Sequence, residues 1–248
     1  MKRGLIFGIG AVILALVAGW FFFIRSDAPP PVSLEEAVAA ATSTTSPGTP
    51  APDDTTGATS TTVADTPPSV DGIDGSWTID PANSFAGYRI GEELANIGTA
   101  EAVGRTSEVT GTLTASGTAI TDVAIEVDMQ TLRSDQSRRD NALRDRGLET
   151  GIFPTATFEL TSPIDLGSVP AAGDTIETSA TGNLTIHGVT QPVELALEGQ
   201  VVDADTVIVV GSVDVTLTDH GIEAPTGFAV LSISEVGTLE LQLQFART

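Results

Sequence analysis

The chain has 248 residues, of which 41% are hydrophobic and 18% are charged, a balance typical of a protein with one sizeable folded domain. Its 33 acidic residues outnumber its 11 basic residues, and the formal net charge of −22 would repel phosphate backbones, so nucleic acid is not expected as a partner. Because the chain contains no cysteine, disulfides, thiolate zinc sites and cysteine-ligated iron–sulfur clusters are excluded.

The first predicted element is an uncharged stretch of 21 residues, 4–24. As a helix it would be about 31 Å long, close to the hydrocarbon thickness of a bilayer. A cleaved signal peptide is the alternative, but its apolar core is usually about 7 to 15 residues long, and no small-residue cleavage site follows closely. We therefore predict an uncleaved transmembrane anchor over residues 1–25. Lys2 and Arg3 precede the span and an acidic chain follows it, so the positive-inside rule places the N-terminus in the cytoplasm and the rest of this single-pass membrane protein outside.

Residues 26–75 are predicted to form a disordered linker. Between residues 42 and 69, 10 Thr, 4 Ser and 5 Pro account for 19 of 28 residues, and such a composition cannot bury enough apolar surface to offset the entropy of ordering. Fifty residues of flexible coil span about 35 to 42 Å, so we expect a stalk that holds the next domain near the membrane. A capping-box pattern at Ser33 predicts a short helix, which we expect to be marginal because it has no other apolar face to pack on.

Residues 76–248 show a different pattern, with apolar residues at every second position, as in half-buried β-strands. Val123, Ile125 and Val127, for example, alternate with Glu126. Comparable segments are residues 84–90, 109–114, 156–164, 184–187, 193–198, 207–217 and 239–245, with residues 77–80 as a further candidate. About eight strands with short turns favour antiparallel pairing, and their apolar face requires either a closed barrel or two stacked sheets. The predicted fold class is therefore all-β with one short inserted helix.

The inserted helix is predicted within residues 132–154, where Ser134 or Asp135 can cap its start and Gly147 can end it. This segment is rich in arginine, interleaved with acidic residues. Two interpretations remain open. The segment is either a solvated helix carrying ion pairs or a lid or rim that contacts an acidic group.

Catalytic chemistry has little support in the sequence. His187 shares a predicted strand face with Asn183 and Thr185 on the wet side, so we expect a solvated residue rather than a metal ligand or a general base. His220 has Asp219 beside it but no second histidine or cysteine close in sequence to complete a metal site. The recurrent nucleophile, metalloprotease and nucleotide-binding motifs are missing, although paired carboxylates from distant strands would leave no sequence signature.

The interior of the predicted barrel would be lined chiefly by Val, Leu and Ile, since residues 76–248 contain only seven aromatic residues. An eight-stranded barrel either fills itself with side chains or holds one slender ligand, and alternation does not decide between them. By alternation, the residues that should point inward are Tyr88, Ile90, Ile125, Val127, Met129, Phe158, Leu184, Ile186, Leu195, Leu197, Val213, Val215, Leu239 and Leu241.

Three stretches carry a resemblance to a known family. They are SWTIDPANSFAGYRI (residues 76–90), RRDNALRDRGLETGIFPTATFEL (138–160) and TGNLTIHGVTQPVELAL (181–197), and together they resemble the YceI-like family of bacterial, lipocalin-like polyisoprenoid-binding proteins. The family's motif positions fall on Trp77, Asp80, Arg139, Asp140, Phe153 and Pro154, which would be rim or structural residues. The chain departs from the family in having Ala142 where a histidine is common and His220 where a phenylalanine is common.

The resemblance implies a lipocalin-like antiparallel β-barrel over residues 76–248 that binds or carries a long-chain isoprenoid or similar apolar lipid without catalysis. It implies no cofactor other than such a ligand, an isoprenoid lipid or an isoprenoid quinone, and no metal. The expected partners are this ligand and the membrane reached through the anchor, with protein partners unknown. Two alternatives stay open: a filled-core β-domain for surface interaction or envelope stress, and a hydrolase built on carboxylates.

Overall fold

The computed structural model describes residues 28–44 and 72–248, so the predicted anchor over residues 1–25 and most of the predicted linker lie outside the described residues. Two α-helices are present in the described part of the chain, α1 (Leu34–Thr44) and α2 (Ser137–Ala142). Its strands are β1 (Gly75–Ile79), β2 (Phe85–Leu94), β3 (Gly98–Thr106), β4 (Val109–Ser116), β5 (Ala119–Asp128), β6 (Arg133–Ser134), β7 (Thr155–Leu160), β8 (Ile164–Asp165), β9 (Thr175–Ile186), β10 (Val189–Val201), β11 (Thr206–Thr216), β12 (Val230–Ile233) and β13 (Val236–Arg247).

Eight of these strands close into an antiparallel barrel in the order β1-β4-β5-β7-β9-β10-β11-β13. The ring closes because β1 pairs with β4 on one side and with β13 on the other. Beyond the end of β1, β13 pairs with β2, and β2 pairs with β3. The predicted all-β fold with an eight-stranded antiparallel barrel is confirmed.

Strand β3 is absent from the sequence-based prediction, for a physical reason. Its inward positions are occupied by Ala100, Ala102 and Gly104, which lie opposite Glu92, Ile90 and Tyr88 of β2. Residues this small give no visible apolar alternation. More residues of β2 than of β3 therefore line the interior of the barrel here.

One end of the barrel is closed by a packed core. Trp77 is 1% exposed and packs with Val109, Leu113, Leu243 and Phe245, among others. The indole Nε1–H donates to the Ile73 carbonyl at 2.9 Å, which satisfies the polar atom of an otherwise apolar side chain. We call this region the closed end.

Helix α2 lies at the opposite end of the barrel and continues into one π-helical turn, Leu143–Gly147. The predicted N-cap is wrong, because Gln136 occupies that position without a side-chain hydrogen bond, whereas the π-helical turn ends at Gly147 as predicted. Ser134 instead belongs to β6, where its backbone N–H and its hydroxyl donate to Asp140 Oδ1 at 2.9 and 2.7 Å. The helix begins later than predicted because Ser134 is engaged in pairing with β3.

Residues 28–44 differ from the expected disordered linker. Leu34 and Ala37 of α1 are 6% and 3% exposed, and they pack on Ile208 and Val210, which lie on the outer face of β11. The helix thus has the apolar partner that the sequence interpretation did not provide. The sequence feature that could have indicated this partner is the run Val-Ile-Val-Val at residues 207–210, which is apolar on both faces of one strand.

No helix in residues 28–44 or 72–248 is long and apolar enough to cross a membrane.

Candidate ligand-binding site

The end of the barrel opposite the closed end holds an open cavity of about 1290 Å³. All of the predicted inward residues except Leu197 line it. Its wall therefore consists of Tyr88, Ile90, Ile125, Val127, Met129, Phe158, Leu184, Ile186, Leu195, Val213, Val215, Leu239 and Leu241, together with residues not predicted, such as Leu243 in the floor. Leu197 also packs inward, but against the core of the closed end. A filled interior is thus found at one end of the barrel only.

Glycines keep the cavity open by accommodating large side chains within the wall. The Tyr88 ring lies over Gly104, where an added Cβ would stand 2.4 Å from Tyr88 Cε1. Phe158 lies over Gly182 in the same way, at 2.4 Å from the position of an added Cβ. These aromatic rings lie along the barrel wall because the residue beneath them has no side chain, and the lumen stays free.

The size and lining of the cavity decide what it can contain. A dry void of this volume would cost roughly 30 kcal/mol at about 24 cal/mol per Å³. That exceeds the whole stability of a typical domain, about 5 to 15 kcal/mol. The cavity is also larger than the pockets of about 300 to 1,000 Å³ that take drug-sized ligands. It is therefore solvated or occupied, and it has room for a long ligand.

The mouth of the cavity is bounded by three segments: the β2–β3 turn, α2 with its π-helical turn, and the loop of residues 222–229 before β12. Ala28, at the start of the described N-terminal segment, also lines it. Sequence reasoning placed none of these except α2 near the site. Loops carry no periodicity, so their position becomes visible only when the strands that hold them are placed in register.

Arg139 is fixed at the mouth by two carboxylates. Its Nε and Nη2 donate to Glu92 Oε1 and Oε2 at 3.0 and 2.9 Å, and its Nη1 donates to Asp135. Burial alone would lower the pKa of Arg139, but hydrogen bonds and attraction to Glu92 and Asp135 outweigh burial and raise that pKa above its ordinary value. The guanidinium therefore stays charged, and its two-pronged contact holds α2 against β2.

Tyr88 presents an unpaired polar group at the cavity wall. Its hydroxyl is buried and has no hydrogen-bond partner among the described residues, and the same is true of the Thr150 hydroxyl. Both side chains border a small gap behind the main cavity. Burial raises the pKa of Tyr88 above its ordinary value. Because buried hydroxyls are normally paired, this phenol is a position where a polar group of a ligand or a water molecule would be stabilised.

The remaining family motif positions have structural roles. Trp77 lies in the closed end, and Asp80 accepts a hydrogen bond at 3.1 Å from the backbone N–H of Ala82 in the turn that leads into β2. Phe153 packs edge-on against His187, with ring centroids 4.4 Å apart, and the Pro154 carbonyl accepts from the Met129 backbone N–H at 2.8 Å. None of these four lines the cavity.

The expectation for His187 is wrong. His187 and Gly188 form a two-residue turn between β9 and β10, with φ of 53° and 72°, so the histidine is not on the wet face of a strand. Its side chain is only 10% exposed, and Nε2 lies 3.0 Å from Glu149 Oε2. The side chain of His220 is buried as well, with Nδ1 3.2 Å from the Val189 carbonyl. In residues 28–44 and 72–248, no three His, Cys, Asp or Glu side chains are grouped to hold a metal ion.

A closed eight-stranded antiparallel barrel with an open apolar lumen defines a lipocalin-like protein. The chain belongs to the YceI-like family, whose domain model matches residues 77–245. A UPF0312 protein of Shewanella denitrificans is 31% identical over 165 residues, which cover 63% of this chain and 82% of the relative.

Two solved structures share the fold. A polyisoprenoid binding domain from Saccharophagus degradans, implicated in plant cell wall breakdown, superposes with a TM-score of 0.57 at 18% identity, covering 69% of this chain and 98% of that one. BcnA of Burkholderia cenocepacia superposes with a TM-score of 0.53 at 14% identity, covering 67% of this chain and 98% of the other. At these identities the likeness is one of fold.

Proposed function

We propose that the protein binds and carries a long apolar lipid, of the isoprenoid class, in the barrel cavity and catalyses no reaction on it. The observation that carries this proposal is the open cavity of about 1290 Å³ with an aliphatic wall. Enclosing a hydrocarbon chain removes apolar surface from water at about 25 cal/mol per Å², so a tail burying some hundreds of Å² would offset the cost of association.

The polar groups near the cavity fit a ligand with a small head and a long tail. Tyr88 offers its unpaired hydroxyl at the wall, and Arg139 stands at the mouth among carboxylates. The relative from Saccharophagus degradans is described as polyisoprenoid binding, which supports the same ligand class. An isoprenoid quinone, with a polar ring and an apolar tail, is one member of this class.

The proposed location is the outer side of a cytoplasmic membrane. The uncharged stretch of residues 4–24 supports an anchor, and Lys2 and Arg3 before it support an N-terminus inside the cell. An anchored barrel would exchange its ligand with the lipids of the same membrane.

Extraction of the purified full chain with organic solvent, followed by mass spectrometry, tests ligand binding. Leu241 lines the cavity, so Leu241→Arg would place a charge among apolar side chains, whereas the neighbouring Gln242→Arg places the same charge on the outer face of β13. We expect an isoprenoid-class lipid from the wild type and from Gln242→Arg, and a strong loss from Leu241→Arg with circular dichroism unchanged. Lipid that is absent from all three, or equal in all three, would refute the proposal.

A further inference from the structure

The described chain begins at the mouth of the cavity. Ala28 lines the mouth, and the next residues are tied to the outer face of the barrel. The Pro29 carbonyl accepts from Arg89 Nη2 at 2.8 Å, and the Pro30 carbonyl accepts from Arg105 Nη2 at 2.9 Å. Both arginines also pair with Glu240, at 3.5 and 2.7 Å. The position at which this segment leaves the barrel is therefore fixed.

Helix α1 then carries the chain away from the mouth, over Ile208 and Val210 and toward the closed end. Residues 45–71, which include 16 of the 19 Thr, Ser and Pro residues counted between residues 42 and 69, follow α1 in the sequence. They therefore do not separate the uncharged stretch from the mouth. Only Arg25, Ser26 and Asp27 stand between Ile24 and Ala28, and four residue steps reach at most about 14 Å.

Exposed apolar side chains are concentrated at the same end. Phe228 is 98% exposed, Ile97 62% and Leu231 59%, and they belong to the β2–β3 turn and to the segment around β12 that border the mouth. Among the described residues, the large exposed hydrophobic residue nearest the closed end is Val169, which is 51% exposed and contacts Gly72. An apolar rim around a lipid-sized opening is the kind of surface that inserts into the boundary of a bilayer.

Two cationic side chains stand at the mouth, where the exposed carboxylates of Glu101 and Asp135 also lie. Arg138 and Arg146 line the mouth and are exposed. Neither has a carboxylate within salt-bridge distance in the described part of the chain. Cationic side chains beside an apolar rim are attracted to anionic lipid head groups, by about 1 kcal/mol for each one near the surface. These two arginines are exposed cations in a chain whose net charge is −22.

We infer that the barrel docks mouth-down on a lipid bilayer, with Ile97, Phe228 and Leu231 at the acyl boundary and Arg138 and Arg146 at anionic head groups. This inference rests on the proposed anchor and adds the orientation in which the anchored barrel faces the membrane. The span of residues 4–24 would emerge within about 14 Å of the mouth, instead of at the far end of a coil of about 35 to 42 Å. A ligand would then pass between bilayer and lumen without crossing water.

A single fluorescent label tests this orientation, because the chain has no cysteine of its own. The full chain is reconstituted in vesicles of phosphatidylcholine and phosphatidylglycerol whose acyl chains carry bromine, and a bimane label is attached to Leu231→Cys or to Val169→Cys. The two positions are similarly exposed, at 59% and 51%, but lie at opposite ends of the barrel. We expect several-fold stronger quenching by the brominated lipid at position 231 than at position 169.

Equal quenching at the two positions, or stronger quenching at position 169, would overturn the docking. The double variant Arg138→Glu with Arg146→Glu replaces both exposed arginines. It should reduce the difference in quenching between positions 231 and 169 in vesicles that contain phosphatidylglycerol, and leave that difference unchanged in vesicles of phosphatidylcholine alone. If the double variant and the protein with both arginines show the same difference in the phosphatidylglycerol vesicles, the proposed role of these arginines is overturned. Lipid extraction from the same samples separates the two proposals, because a bound isoprenoid with no quenching contrast removes docking but keeps ligand binding. A chain that does not float with the vesicles would refute both the anchor and the docking.

Discussion

The two ends of one barrel differ in how far their inward side chains reach. At the closed end, Trp77, Leu113 and Phe245 meet across the interior and exclude solvent. At the open end the strands have the same alternation, but Val213 and Leu239 face a cavity. The two ends also differ in their strands, because β13 pairs with β1 at the closed end and with β2 at the open end.

This difference shows that alternation and volume carry separate information. Alternation decides which side chains point inward, and it does so equally at both ends. Whether they meet depends on the summed volume of residues that are distant in sequence. Gly104, Gly182 and Gly211 remove volume where Tyr88, Phe158 and Leu197 would otherwise be pushed inward, and no local pattern shows this.

The largest expected effect is a contrast between two leucines of β13. Leu243→Ala should cost about 3 to 5 kcal/mol of unfolding free energy, because Leu243 is 2% exposed and packs in the closed end. Leu239→Ala, the same change at the open end, should cost less, about 2 kcal/mol, because its side chain borders the cavity and has fewer packing partners to lose. Urea unfolding of the lipid-free proteins measures both. Equal costs would mean that the open end is as tightly packed as the closed end.

The next effect concerns the ion pair at the mouth. Arg139→Met should destabilise the barrel by at most about 3 kcal/mol, because it leaves Glu92, whose side chain is 4% exposed, without its partner. The double variant with Glu92→Gln should recover most of this loss, since no buried charge is then unpaired. Thermal unfolding of the wild type, the two single variants and the double variant provides the double-mutant cycle. A double variant as unstable as the sum of the single ones would show that the pair does not act as a unit.

A smaller effect tests the glycines that keep the lumen open. At Gly104 the three atoms nearest to an added Cβ all belong to Tyr88, so Gly104→Ala should displace that side chain toward the lumen and cost about 1 to 3 kcal/mol. Gly237→Ala, also in the cavity wall, is the control because its nearest neighbour is Ile90 Cδ1 at 3.3 Å. We expect the control to be neutral or slightly stabilising. A similar cost for both would contradict the proposed packing of Tyr88 on Gly104.

The sequence predicted the wall of the site well and its surroundings poorly. Period-two alternation depends only on neighbours in the chain, so the inward direction of residues such as Ile125 and Leu195 could be read from the sequence. The depth of Leu197 could not, because it depends on Gly211 in the adjacent strand. The outer face of β11 was misjudged because its partner, α1, is separated from it by more than 150 residues of chain.

The turn at His187 shows that alternation locates a strand better than it locates the ends of that strand. The prediction ended one strand at residue 187 and began the next at residue 193, with residues 188–192 as the connection. In the structure Pro192 lies within β10, opposite Asn183, and the turn is the two-residue His187–Gly188. A histidine expected to face solvent is therefore held against Phe153, close to the mouth but outside the cavity wall.

The smallest expected effect is the pH dependence of stability caused by Tyr88, which reports whether water reaches the cavity wall next to the mouth. Tyr88 is the only tyrosine in the chain, so tyrosinate absorbance reports on it alone. Because burial raises its pKa, the folded protein should keep the phenolic proton above pH 10, whereas the unfolded chain releases it at about pH 10. Stability should therefore be unaffected by this group below about pH 10 and fall above it by at most about 1.4 kcal/mol per pH unit. In urea unfolding over the same pH range, the unfolding free energy of Tyr88→Phe should decline less steeply than that of the wild type. If the phenol of the folded protein instead titrates near pH 10, water reaches it and the wall is wet at that point.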